Sequence, residues 1–207
     1  MNRHEELRAR LRLTLVISRR EAAPRGLLEL ADLAFQGGAT ALQLREKDRP
    51  DGEFYEEALE MARFCRERGK LFIINDRLDL ALAVNADGLH LGQSDLPAEV
   101  AARLLPKNKI LGVSAATEAK ARQALAAGAD YLGVGAVFPT GSKDDATVID
   151  PAEIGRIIDL GAPAVAIGGL TAANAGQAMA YGFTGLAVIS ALAAAADPRA
   201  AAGLLLI

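Results

Sequence analysis

Short runs of apolar, β-favouring residues alternate along this chain with longer stretches whose apolar positions recur at helical spacing. The strand runs are Leu13 to Ile17, Ala41 to Arg45, Leu71 to Asn75, Gly88 to Leu91, Ile110 to Ser114, Tyr131 to Val137, Ala164 to Ile167 and Gly185 to Ile189. Between them the spacing predicts helices over Arg25 to Gln36, Gly52 to Arg68, Leu78 to Val84, Pro97 to Leu104, Glu118 to Ala127, Pro151 to Leu160 and Ala173 to Tyr181, rich in Ala, Leu and Glu. Gly38-Ala39-Thr40, Asn85-Ala86-Asp87, Gly128-Ala129-Asp130 and Gly182-Phe183-Thr184 each join a helix end to a strand start, with Gly or Asn where the chain must turn left-handed. The strand runs show little polar alternation, as parallel strands covered on both faces do. Eight such units, with no Gly-x-Gly-x-x-Gly after the first strand, favour a closed barrel over an open doubly wound sheet. The expected architecture is α/β, a single (βα)8 TIM barrel over residues 1–207, with no linker dividing it.

Composition narrows the function more than the fold. Apolar residues make up 51% of the 207 positions and aromatics 4%, so the core is aliphatic. A net charge of −3, with no basic run interleaved with aromatics, argues against nucleic acid. No apolar stretch has the length that spans a bilayer, and the charged N-terminus has no cleavage site after Leu13 to Ile17, so the expectation is a mature cytoplasmic chain. The lone cysteine, Cys65, excludes an intramolecular disulfide, suits a reducing compartment and reads as a small apolar helix residue.

Polar residues gather where the strand runs end. Gln43, Arg45 and Lys47 end the second, Asn75 and Asp76 the third, and Asp95 follows the fourth. Ser114 ends the fifth, Thr140, Ser142 and Lys143 follow the sixth, Gly168 and Gly169 the seventh, and Ile189 and Ser190 close the eighth. In a (βα)8 barrel these positions share one rim, the face that carries active sites. Asp76 and Asp95 on neighbouring strands suit Mg2+, which takes oxygen ligands and leaves positions for water and phosphate. Either Asp could instead cap the helix that follows it. Arg45 and Lys47 beside them offer a fork and a point charge for phosphate oxygens, unless they are a solvated strand end paired with Glu46 or Asp48. Gly169 and Ser190 sit where barrels of this type bind a second phosphate through backbone N–H groups, although a tight turn also explains the glycine pair. Pro139 to Asp150, the longest irregular stretch, has the position of a lid, and His90 reads as a hydrogen-bonded histidine near the barrel top. The division into a metal-assisted and a metal-free anion site fits two small phosphorylated substrates, and leaves a homo-oligomer open.

Taken together, Gln43-Leu44-Arg45-Glu46-Lys47, Ile74-Asn75-Asp76-Arg77, Asp87-Gly88-Leu89-His90-Leu91-Gly92-Gln93-Ser94-Asp95-Leu96-Pro97, Gly128-Ala129-Asp130-Tyr131, Val137-Phe138-Pro139-Thr140, Ala166-Ile167-Gly168-Gly169 and Ala187-Val188-Ile189-Ser190-Ala191 resemble the motifs of the thiamine phosphate synthase family, in order. The resemblance implies a transferase that joins a hydroxymethylpyrimidine diphosphate to a thiazole phosphate, releasing diphosphate. It implies Mg2+ on Asp76 and Asp95, pyrimidine diphosphate on Arg45, Lys47, Asn75 and Lys143 with Gln43 and Ser114 placing it, and thiazole phosphate on Thr140, Ser142, Gly169, Ile189 and Ser190. Lys143, Arg45 and Ser114 are the implied catalytic residues. Departures are Ser142 where the family has Thr, no glycine between Asp144 and Asp150, Ser18-Arg19-Arg20 where an acidic residue is common, and a short final helix, Pro198 to Leu206, expected to weaken barrel closure. A thiazole tautomerase on the same barrel and a non-catalytic thiazole-phosphate-binding barrel are the alternatives; tautomerases typically lack the two carboxylates.

Overall fold

A computed structural model describes residues 3–141 and 147–206. Eight parallel strands close on themselves in sequence order: β1 (Leu13–Ile17), β2 (Ala41–Leu44), β3 (Leu71–Asn75), β4 (Gly88–Leu91), β5 (Ile110–Ser114), β6 (Tyr131–Val134), β7 (Ala164–Ile167) and β8 (Gly185–Val188). The closing pair β1–β8 is in register at Leu13 with Leu186, Thr14 with Ala187 and Leu15 with Val188. The short last helix therefore does not weaken closure: α11 (Pro198–Leu205), capped by Asp197, packs on α3 (Leu27–Gln36) across the β1–β8 seam.

The remaining helices are α1 (Arg3–Arg10), α2 (Arg19–Ala22), α4 (Asp51–Glu67), α5 (Leu78–Ala83), α6 (Ala98–Leu104), α7 (Glu118–Ala126), α8 (Pro151–Ile158), α9 (Ala175–Ala180) and α10 (Ser190–Ala193). None of the described helices is long and apolar enough to cross a membrane. Three of them escape the hydrophobic pattern: α1, α2 and the four-residue α10. In α2, Ser18 and Glu21 form a reciprocal capping box, so the polar Ser18-Arg19-Arg20 segment turns into a helix at once. In α1, charge hides a plug: Leu7 and the following Leu11, four residues apart, enter the cluster that fills the barrel bottom with Val16, Ala41, Leu71, Ile73 and Ile110.

Strand parity sorts the two cores. Leu13, Leu15 and Ile17 face the helix layer, while Thr14 and Val16 face the barrel interior, and the other strands alternate likewise. Because both faces are buried, every strand is apolar nearly throughout, which makes it legible as parallel but not which side is which. The sixth strand ends at Val134, short of the expected Val137, yet its pairing resumes where Val137 N donates to Ile167 O (3.0 Å) and Phe138 N to Gly168 O (3.1 Å).

Cys65 lies fully buried on α4, and burial, with the Asp87 charge, pushes its thiol up to about 12. Modification by an aromatic disulfide reagent at pH 8 is therefore expected to run about a thousandfold slower in folded than in denatured protein. Prompt release of one thiol equivalent without denaturant would contradict that burial.

Candidate active site

A cavity of about 490 Å3 opens at the C-terminal end of the strands. Its lining brings together every described residue expected at the rim: Gln43, Arg45, Lys47, Asn75, Asp76, Asp95, Ser114, Thr140, Gly169, Ile189 and Ser190. Ser142 and Lys143 lie outside the described residues, as do Asp144, Asp145 and Ala146 of the loop expected to be a lid.

Asp76 and Asp95 are not helix caps. Asp76 sits in a left-handed conformation (φ 64°), with its N–H donating to His90 O (2.8 Å), and α5 begins after Arg77, which supplies no side-chain cap. Asp95 accepts the Gly92 N–H (2.6 Å) and so braces its own loop, while α6 starts after Pro97. The two carboxyl groups are in hydrogen-bonding contact. Burial, then Asp95, push Asp76 up to about 6 against the pull of Lys47 and Arg45. Burial also acts to raise Asp95, but the Asp76 contact, the Gly92 N–H and nearby Lys47 outweigh it and carry Asp95 below the usual range. Below about pH 6 the pair therefore holds one proton, mainly on Asp76. Two carboxylates pressed together need a cation between them as much as a proton, and a hard divalent ion with phosphate oxygens in its other positions suits this donor set. Among the described residues no group of three or more His, Cys, Asp or Glu could hold a metal ion.

Arg45 and Lys47 reach the same place from β2, and both act on Asp76. The alternative pairing with Glu46 or Asp48 is not seen among the described residues: neither carboxylate forms an ion pair with Arg45 or Lys47, and Glu46 accepts the Arg19 N–H. Arg77, next to Asp76 in sequence, is turned away and tied to Asp51 (2.7 Å) and Asp79 (2.6 Å).

Below the rim runs a buried polar chain. Gln43 hydrogen-bonds the Tyr131 phenol, whose oxygen is 2.9 Å from His90 Nδ1, and His90 Nε2 is 3.0 Å from Ser114 Oγ. Burial holds the phenol far above its ordinary range, so it remains a neutral donor. Glycines make room for both rings: a Cβ on Gly112 would lie 2.2 Å from the Tyr131 ring and one on Gly133 2.8 Å from His90. The chain thereby fixes the Ser114 hydroxyl and the Gln43 amide.

On the opposite rim Gly168 (φ 98°) and Gly169 (φ 64°) carry β7 into a turn that only glycine adopts cheaply. Asn174 holds that turn, accepting from Thr171 N (2.8 Å) and donating to Gly169 O (2.8 Å). Ser190 opens α10 directly after β8, beside it.

The sequence model of the family described as thiamine monophosphate synthase matches residues 13–192, the whole barrel from β1 to α10. This chain belongs to the thiamine monophosphate synthase family. Among its synthase relatives, a thiamine-phosphate synthase of Moorella thermoacetica is 52% identical over 192 residues, 92% of this chain and 91% of the relative. One from Coprothermobacter proteolyticus is 44% identical over 199 residues, covering 96% and 94%. The solved thiamine phosphate pyrophosphorylase of Pyrococcus furiosus superposes with a TM-score of 0.88 at 42% identity, covering 96% of this chain and 95% of that one.

Tyr131, Thr14 and Lys120 line the cavity of this synthase-family barrel without a role read from the sequence, although Tyr131 closes the Gly128-Ala129-Asp130-Tyr131 motif; Tyr131 and Thr14 lie in strands and Lys120 on α7. For Thr14 and Tyr131 a signal existed, a hydrogen-bonding group within an apolar run; for Lys120, one exposed lysine among many, there was none.

Proposed function

We propose that this chain is a transferase of thiamine biosynthesis, joining 4-amino-2-methyl-5-hydroxymethylpyrimidine diphosphate to a thiazole phosphate to give thiamine phosphate and diphosphate. The observation that carries this reading is the Asp76–Asp95 contact pair with Arg45 and Lys47 beside it at one side of the cavity. Asp76 and Asp95 would hold Mg2+, which when bound neutralises charge on the departing diphosphate. Arg45, Lys47 and Asn75 bind the same diphosphate, with Lys143 assigned there by family resemblance. The carbon–oxygen bond to diphosphate breaks with its electron pair leaving on oxygen, and the thiazole nitrogen lone pair forms the new carbon–nitrogen bond. Little base chemistry is needed, so the protein supplies charge stabilisation, alignment and a dry site. The apolar walls Val16, Val165, Ile167 and Ala187 exclude water that would trap the cation, and Ser114 and Gln43, locked through His90 and Tyr131, orient the pyrimidine.

Thr140, Gly169, Ile189 and Ser190, with Ser142 by resemblance, take the thiazole phosphate on the metal-free side. The cytoplasm is the compartment we propose, since both substrates are small phosphorylated metabolites. The two carboxylates favour transfer over tautomerisation. The test is incubation of purified protein with the pyrimidine diphosphate and either the thiazole phosphate or its carboxylate form, with Mg2+ or with chelator, and mass spectrometry of the products. Thiamine phosphate formed only with Mg2+ is the expected result; no product in any arm would sink the proposal.

A further inference from the structure

Thr14 stands at the floor of the cavity, and nothing in the scheme above uses it. It is the second residue of β1, 2% exposed, and its Oγ1 is a buried atom with no hydrogen-bond partner among the described residues. Its neighbours across the sheet are Ala41 of β2 and Ala187 of β8, so small side chains flank it on both sides, and strand parity turns its side chain to the barrel interior, where it lines the cavity. Gln43 lies two residues further along β2 than Ala41, which places Thr14 one layer below the Gln43 amide.

An unpaired hydroxyl in an apolar interior opposes folding, and a valine of the same shape would not. A polar group that opposes folding yet faces the active cavity has the character of a group matched to a ligand, where stability is given up for function. The two proposed substrates differ in what they could offer it. A thiazole ring presents carbon–hydrogen edges, a sulfur and one nitrogen, and that nitrogen's lone pair is consumed in the reaction. An aminopyrimidine presents two ring nitrogens and an amino group, more than Gln43 and Ser114 need engage, and a hydroxyl can donate to the ring or accept from the amine. We propose that the Thr14 hydroxyl hydrogen-bonds the aminopyrimidine ring and helps select that substrate, an assignment that rests on the reaction proposed above.

The experiment compares wild type with Thr14→Val and Thr14→Ser, by calorimetric titration with pyrimidine diphosphate and Mg2+, separate titration with thiazole phosphate, and thermal unfolding of the unliganded proteins. Thr14→Val is expected to weaken pyrimidine diphosphate binding about 3–10-fold and leave thiazole phosphate within about twofold. Its Tm is expected to stand about 2–4 °C above wild type. Thr14→Ser, which keeps the hydroxyl, is expected to bind pyrimidine diphosphate within about twofold of wild type. Unchanged pyrimidine affinity in Thr14→Val, a loss shared equally by both substrates, a Tm below wild type, or a serine variant no better than valine each overturns the assignment. Wild-type protein that forms no thiamine phosphate overturns the underlying reading and the assignment with it. Wild type that turns over, while Thr14→Val binds pyrimidine diphosphate normally, overturns the assignment alone.

Discussion

Asp76→Asn is expected to lower turnover by about 10²–10³ while thiazole phosphate binding stays near wild type. Asparagine is the informative substitution because Asp76 occupies the left-handed region at φ 64°, which Asn tolerates and Ala does not. The amide keeps size and backbone geometry and removes the charge that a divalent cation and the leaving diphosphate require. The stability sign sharpens the test. The Asp76 carboxyl keeps its proton to about pH 6 in the folded chain, above its unfolded value near 4, so folding loses stability as pH rises through that window. A neutral amide removes that loss, and in chelator at pH 7 the variant should melt at or above the wild-type temperature. Activity loss together with a lower Tm would mark Asp76 as a structural residue. Equal loss of thiazole phosphate binding would do the same.

The rim was readable from sequence because the fold does the gathering. Once eight β-α units are recognised, Arg45, Asp76, Asp95, Ser114 and Ser190 must meet at the strand C-termini however far apart they lie in the chain, and the cavity joins them. What lay below the rim was much harder to read. Thr14, His90 and Tyr131 owe their roles to which face of a strand turns inward, and strands buried on both faces carry almost no pattern that reveals it. The expected alternatives failed for physical reasons visible only in three dimensions: Asp76 is held by His90 O in a conformation from which it cannot cap α5, and Glu46 is already engaged by the Arg19 N–H. The N-terminal helix was missed because its charges outnumber the two leucines that seal the barrel, and tertiary burial of Leu7 and Leu11 overrides that composition. Strand ends were overestimated at Arg45, Val137 and Ile189, where residues continue in sequence beyond the regular ladder.

Gly169→Ala is the second large effect expected, and it probes the metal-free side of the cavity. At φ 64° an alanine is strained by roughly 1–2 kcal/mol before any contact is considered. Its Cβ would also fall 2.3 Å from the Pro139 carbonyl oxygen and 2.8 Å from the Phe138 carbonyl carbon. Both are backbone atoms, so the clash cannot be relieved by rotating a side chain, and the β6 and β7 ends must separate where Phe138 N donates to Gly168 O. That separation moves Thr140 and Gly169, the two sides of the proposed thiazole phosphate site, apart. Binding of thiazole phosphate should weaken about tenfold or more, with Tm lowered and pyrimidine diphosphate binding held near wild type across the barrel. Gly155→Ala supplies the contrast. Gly155 lies on α8 with open space where its Cβ would go and no positive φ, so alanine should leave activity unchanged and stabilise by about 0.5–1 kcal/mol. If Gly169→Ala proves as harmless as Gly155→Ala, the glycine pair is an ordinary turn, and the second anion site must be sought elsewhere on the rim.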